Sequence, residues 1–249
     1  MVVTRILSHI QSALTLVCNH QFSNIKKDKD MKTIYKFSIL LFLMFVALSC
    51  TDLEQGPVGL LAPESMFKTT NDVETAIMGA YGRIASESYY GRKLVLTLQL
   101  RSDMCDIGDR GTPSRRQDAN DFNMDPENGM VSAFWPRSYE IISAVNAAID
   151  GAGRVDASEA KMNPLIAEAR FVRAFAYYHL VRLFGDIPYI DEFISDPSTV
   201  KDIGKTPEGA VYENIISDLE FAKNNLPETQ PARSRPTRAT AAAYLASVH

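Results

Sequence analysis

The sequence predicts an all-α protein built from stacked helical hairpins, and three observations predict it. Apolar residues recur at helical spacing in several separate stretches, strand-type alternation is scarce, and the longest of the apolar stretches has no clear wet face. A helix without a wet face must be covered on both sides, which a stack of helices does and an isolated amphipathic helix does not.

The first helix is expected from Asn71, where "NDVE" supplies a cap and an acidic residue three positions on. Val73, Ala76, Ile77, Ala80, Tyr81 and Ile84 then form one apolar stripe. Leu94 to Leu100 is a short apolar run that periodicity leaves open between helix and strand. From Arg101 to Met130 the chain turns polar and rich in Gly, Pro, Asp and Asn, a long connection of the kind that is usually functional or disordered. Helical spacing returns over Val131 to Ile149 through Tyr139, Ile142, Val145 and Ile149, and "DGAG" at 150–153 closes that helix.

The stretch "EARFVRAFAYYHLVRLFGDIPYI", Glu168 to Ile190, is apolar around almost its whole circumference. With Glu168 at zero on a helical wheel, His179 falls about 20° away and Arg182 about 40° the other way, while Arg170 and Arg173 lie between about 140° and 200°. Two thin polar seams therefore separate two broad apolar surfaces. Gly185 supplies a left-handed stop and Pro188 prevents resumption. Thr206-Pro207-Glu208 reads as the cap of a further helix, faced by Val211, Ile215, Leu219, Ala222 and Leu226 and ended by Pro227. The basic turn "PARSRPTRA" leads into a last helix at Thr240, which is still running at His249 and is expected to be incomplete. Helix pairs that cannot bury both faces alone point to a tetratricopeptide-like array, although no strict period of about 34 residues is legible.

Composition narrows the function. With 46% apolar and 22% charged residues the chain is globular rather than disordered. Residues 1–49 hold six basic and two acidic residues, which leaves 20 basic and 28 acidic in the remainder, a net charge of −8. An acidic body is a poor partner for phosphate backbones, so nucleic acid is not an expected ligand.

"MKTIYKFSILLFLMFVALSC", Met31 to Cys50, has the parts of a secretory signal: Lys32 and Lys36, an apolar run from Phe37 to Leu48, and small Ser49. Its 12 apolar-run residues fall short of the roughly 20 that span a bilayer. "ALSC" resembles a lipobox with Ala47 where Leu is usual, so Cys50 is expected to carry a lipid anchor. Residues 1–30 read as a misassigned upstream start, 31–49 as the lipoprotein signal peptide, 50–63 as a lipidated tether and 64–249 as the helical domain. Cys18 and Cys105 complete the cysteines, too few for a disulfide framework.

Five segments in this order carry a resemblance. "ESMFKTTNDVETAIMGAY", "FWPRSYEIISAVNAAI", the Glu168–Ile190 stretch with its Gly-Asp-Ile-Pro exit, and "VYENIISDLEFAKNNLP" followed by "PTRATAAAYLA" are similar to the SusD/RagB family of outer-membrane lipoproteins. Tyr139 stands four residues after Trp135, which is the Trp-x₃-Tyr spacing of that family. The resemblance implies a helical-repeat protein, anchored in the outer membrane by lipid, that lids a SusC-like TonB-dependent porin and hands it captured oligosaccharides or peptides. It also implies a considerably longer chain, in keeping with an array incomplete at its C-terminus.

Glycan binding needs flat aromatic faces and planar polar groups. The loop from Arg101 to Phe134 offers Asp103, Asp106, Arg115, Asn120 and Phe122 as candidate ligand contacts, with Arg116 and Asn123 beside them. Trp135, the single tryptophan, is expected in the core because it begins a helix at a packing position. Other chemistry finds no apparatus. "DFNMDPENG" has Pro126 where a calcium loop needs Gly and Ser132 where it needs Glu. "GAGRVD" follows a helix instead of a strand, against a dinucleotide site. His179 reads as a structural histidine, and no His-Glu-x-x-His or Gly-x-Ser-x-Gly motif is present. No cofactor, metal or catalytic residue is therefore expected. A helical scaffold that binds a protein partner without touching nutrient is the alternative.

Overall fold

A computed structural model describes residues 66–249, together with Ser38; the expectations for residues 1–63 lie outside the described residues. The described body belongs to a compact unit running from Gly59 to His249. Seven α-helices make it up: α1 (Thr70–Ile84), α2 (Lys93–Leu100), α3 (Ser114–Asn120), α4 (Phe134–Ala152), α5 (Glu159–Phe184), α6 (Glu208–Asn225) and α7 (Arg238–Val248). A 3₁₀ helix spans Pro197–Asp202, and the only pairing of extended backbone among the described residues is an isolated antiparallel bridge between Ile187 and Thr206. The all-α expectation holds.

Helices α1, α4, α5, α6 and α7 pack each against the next, with α5 in the middle. The unusual amphipathicity of α5 follows from that place. From Ala167 to Val181 only Arg170, Phe175 and Tyr178 are even half-exposed. Apolar positions alone do not cover this helix, because its polar seams are buried too. Glu168, 1% exposed, accepts from the Tyr81 hydroxyl of α1 at 2.7 Å and from Arg235, whose Nη2 lies 2.6 Å from Oε2. Arg235 also pairs with Glu74, so the turn before α7 is tied to both α1 and α5. On the opposite seam Arg173 grips Asp218 of α6 with two bonds of 2.7 and 2.8 Å. The two seams that look like a wheel's wet faces are therefore its ionic contacts with neighbouring helices.

Several local expectations shift. The first helix starts at Thr70, and its cap is Thr69, which forms a capping box with Asp72, two residues earlier than the Asn71 start. The undecided Leu94–Leu100 run is helical, burying Leu94, Thr97 and Leu100. The long polar connection contains α3, which buries a single residue, Ala119. Gly153 of the "DGAG" run does cap α4, while Gly151 lies inside the helix: a Cβ there would overlap the ring of Phe67, so that glycine permits a close approach. The central helix starts at Glu159 and accommodates Pro164 in its second turn. Gly185 does stop it, at φ 68° and ψ −126°, a conformation that only glycine adopts easily. Thr206 does not cap α6. It bridges Ile187, Pro207 takes the cap position, and the free Glu208 N–H is met by Asp186 from the preceding turn at 2.9 Å.

Candidate functional site

The loop between α2 and α4 is folded by its own polar side chains. Gln117 donates to the carbonyls of Thr112 (2.6 Å) and Arg110 (3.2 Å), which closes the turn onto α3. Buried Asn128 donates to the Arg115 carbonyl at 3.0 Å and accepts the Met130 N–H at 2.9 Å, joining α3 to the far end of the loop. A polar connection of this length holds a shape because its amide side chains supply the bonds that a ladder would.

Of the sequence-derived candidates, the structure brings Asp106 and Asn120 together: Asn120 Nδ2 donates to Asp106 Oδ1 at 2.9 Å and to Asp121 at 3.1 Å. Phe122 follows two residues later. It is 63% exposed, and with φ 58° it is the only non-glycine residue at positive φ among the described residues. A bulky side chain in that region costs about 1–3 kcal/mol, and such strain concentrates at functional positions. Arg115 is exposed and held through its carbonyl. Asp103 stands exposed on the turn after α2 with no side-chain partner among the described residues, so the structure does not join it to the Asp106–Asn120 pair.

Sequence reasoning missed Arg101. Its guanidinium lies 4.5 Å from the Phe122 ring centre, and it makes no ion pair among the described residues. Nothing in the local sequence places an arginine at the end of α2 over a phenylalanine 21 positions later. Beside this pair a cleft of about 430 Å³ opens between α2, the loop and the ends of α4 and α5.

A second, larger cleft of about 750 Å³ follows α4. Trp135, Tyr139 and Ala144 line one side and the segment after α5 lines the other, including Pro188, Ile190 and Phe193. Trp135 packs edge-on against Phe184, at 5.0 Å and 84°, as its helical position predicts, yet it also faces this cleft. The opposite wall is extended backbone pinned by side chains. Tyr139 donates to the Pro188 carbonyl at 2.8 Å, and Asn146 to those of Ile190 and Glu192 at 2.9 and 3.1 Å. Arg173 reaches Asp191 at 2.8 Å, while the Tyr177 hydroxyl both donates to the Ile190 carbonyl and accepts its N–H. Burial pushes the Tyr139 and Tyr177 hydroxyls above the ordinary phenol range, which keeps them as donors.

His179 has the structural role expected of it. It is 8% exposed, shares a 2.7 Å hydrogen bond with the Tyr90 hydroxyl and meets the Phe175 ring edge-on. Burial first, and then the nearby Arg182 charge, pushes its pKa down to about 4, so it stays neutral.

Comparison with known proteins places this arrangement. A family model, SusD-like_3, described as starch-binding and associating with the outer membrane, matches residues 61–249. SusD-like protein P2 of Formosa agariphila is 56% identical over 215 residues, 86% of this chain and 42% of that protein. A SusD superfamily structure from Bacteroides vulgatus superposes with a TM-score of 0.67 at 22% identity, covering 74% of this chain and 40% of that one. A laminarin-binding SusD-like protein superposes with a TM-score of 0.64 at 23% identity, covering 73% and 40%. The chain thus spans less than half the length of these relatives. With the family's pattern running through all seven helices and the loop between α2 and α4, the chain belongs to the SusD/RagB family of carbohydrate-binding, outer-membrane-associated proteins.

Proposed function

We propose that the protein captures oligosaccharides, or in a related role peptides, through the loop between α2 and α4, and passes them to a SusC-like TonB-dependent transporter. It acts by binding, with no chemical step of its own. The observation that carries this reading is Phe122: an exposed aromatic face on strained backbone, two residues from the Asp106–Asn120 pair. A pyranose presents a C–H face to such a ring and hydroxyl pairs to planar polar groups. Arg115 and Asp103 are the outlying polar candidates of the same loop. The laminarin-binding relative supports a glycan as the ligand class. A lipid on Cys50 would hold the protein at the outer membrane, facing outward.

Calorimetry of the full-length protein against laminari-, xylo- and malto-oligosaccharides and against short peptides tests capture. Phe122→Ala is expected to weaken any binding about tenfold. Undiminished binding in that variant would move the site elsewhere. Co-purification of a TonB-dependent porin tests the hand-off, and loss of fatty-acid labelling in Cys50→Ala tests the anchor. The apolar cleft along α4 favours the second reading, a scaffold for a protein partner, and absence of every sugar and peptide from the bound set would support that scaffold.

A further inference from the structure

The cleft beside Phe122 has a composition that an unsubstituted sugar does not explain. Its wall is mainly apolar, with Leu94, Leu98, Met124, Met130, Phe134 and Leu183 beside a single hydroxyl, that of Thr97. Apart from Arg101 at the mouth, the nearby donors are already used. The Thr97 hydroxyl donates to the Lys93 carbonyl at 2.7 Å, the Met130 N–H goes to the Asn128 side chain, and the Val131 N–H goes to the Asn128 carbonyl at 2.9 Å. A sugar hydroxyl oxygen entering this space would leave water without finding a free donor, a loss that disfavours bare pyranose rings. An apolar group loses nothing by entering, and two methionines let the wall adapt to its shape.

The mouth adds the second half of the chemistry. Arg101 and Phe122 line the cleft and also border the loop, so a ligand lying on the loop reaches the cleft without a gap. Arg101 is a cation without an ion pair among the described residues, poised to donate to a carbonyl oxygen at the entrance. An apolar interior behind one donor suits a group with a carbonyl at its root and hydrocarbon beyond it.

We infer that this cleft receives an ester-linked acyl substituent of the captured glycan, its carbonyl at Arg101 and its hydrocarbon among Leu98, Met124, Met130 and Leu183. The inference rests on the glycan-binding reading and deepens it: the ligand is an acylated polysaccharide fragment. At about 430 Å³ the cleft has room for an aromatic acyl group as well as an acetyl. An aromatic acyl group would lie among the Phe122, Phe134 and Phe184 rings.

The test uses the full-length protein and sugars in matched pairs. Laminari-, xylo- and malto-oligosaccharides are each titrated unmodified and partially O-acetylated. Feruloylated arabinoxylan oligosaccharides are titrated before and after mild alkaline de-esterification. For every backbone that binds, the ester form is expected to bind about tenfold tighter, from roughly 60 Å² of newly buried apolar surface. Stronger preference for feruloyl than for acetyl identifies the aromatic group, and the reverse identifies the small one. Leu98→Asp, at a rim position 44% exposed where the fold tolerates charge, brings the ratio between ester and de-esterified forms close to one. Methyl resonances of Met124 and Met130 shift with the ester forms alone. Equal affinity for both members of each pair overturns the acyl cleft and leaves glycan capture standing. Binding of no sugar in either form overturns both.

Discussion

Two arginines show how differently the helical stack and the loop use charge. Arg173, 5% exposed in the middle of α5, makes four hydrogen bonds: two to Asp218, one to Asn146 and one to the Asp191 carbonyl. Arg101, exposed at the end of α2, makes no ion pair among the described residues and rests on an aromatic ring. A buried guanidinium must be fully partnered or the fold loses several kcal/mol, whereas an exposed one is solvated and can wait for a ligand. The stack therefore uses its charges to specify which helix meets which, and the loop keeps its charge available.

The sharpest way to break this contrast is to remove one partner of a buried pair. Glu168→Ala leaves Arg235 without its main carboxylate and orphans the Tyr81 hydroxyl, so a loss of about 3–5 kcal/mol is expected in urea unfolding of the full-length protein. A cost below about 1 kcal/mol would mean that the seam is solvated after all. Acid provides a second test. Burial lowers the His179 pKa from 6.5 to about 4, so the unfolded chain takes up this proton first. Its contribution is complete above pH 6.5 and declines as the pH falls toward 4, by about 3 kcal/mol in all. Unfolding midpoints at pH 7.5, 5.5 and 4.0 should follow that decline, and His179→Phe should flatten it.

Gly151→Ala probes packing without charge. Overlap with Phe67 is expected to cost about 1–3 kcal/mol, and Phe67→Leu in the same chain should recover part of it. The smallest effect on stability belongs to the loop. Phe122→Gly removes an exposed ring and relieves its positive φ, so stability should stay within about 1 kcal/mol of the parent while glycan affinity falls about tenfold. A large destabilisation there would assign Phe122 to the fold instead of the site.

The sequence made the stack legible because each long helix carries its own period. Val73, Ile77 and Ala80, like Val211, Ile215, Leu219 and Ala222, are buried where helical spacing puts them. Partner identity is different information. Glu168 and Arg235 are 67 positions apart, and no periodicity links them. Helix α3 escaped notice because seven residues burying one alanine carry no stripe. The strained Phe122 sits in a segment with no glycine to mark its positive φ, so its chemistry was visible and its posture was not. Arg101 became part of the site only when folding set it over that ring.

The wall from Pro188 to Glu192 has a further consequence. Its carbonyls are held by Tyr139, Asn146, Arg173 and Tyr177, which lie in α4 and α5. The instructions for its path are thus written 13 to 49 residues upstream of it. A saturation scan should find the outward-facing positions of the wall permissive and those four remote side chains intolerant. For anyone redesigning the cleft, the residues to leave untouched are these four, two of which, Tyr139 and Asn146, also line it.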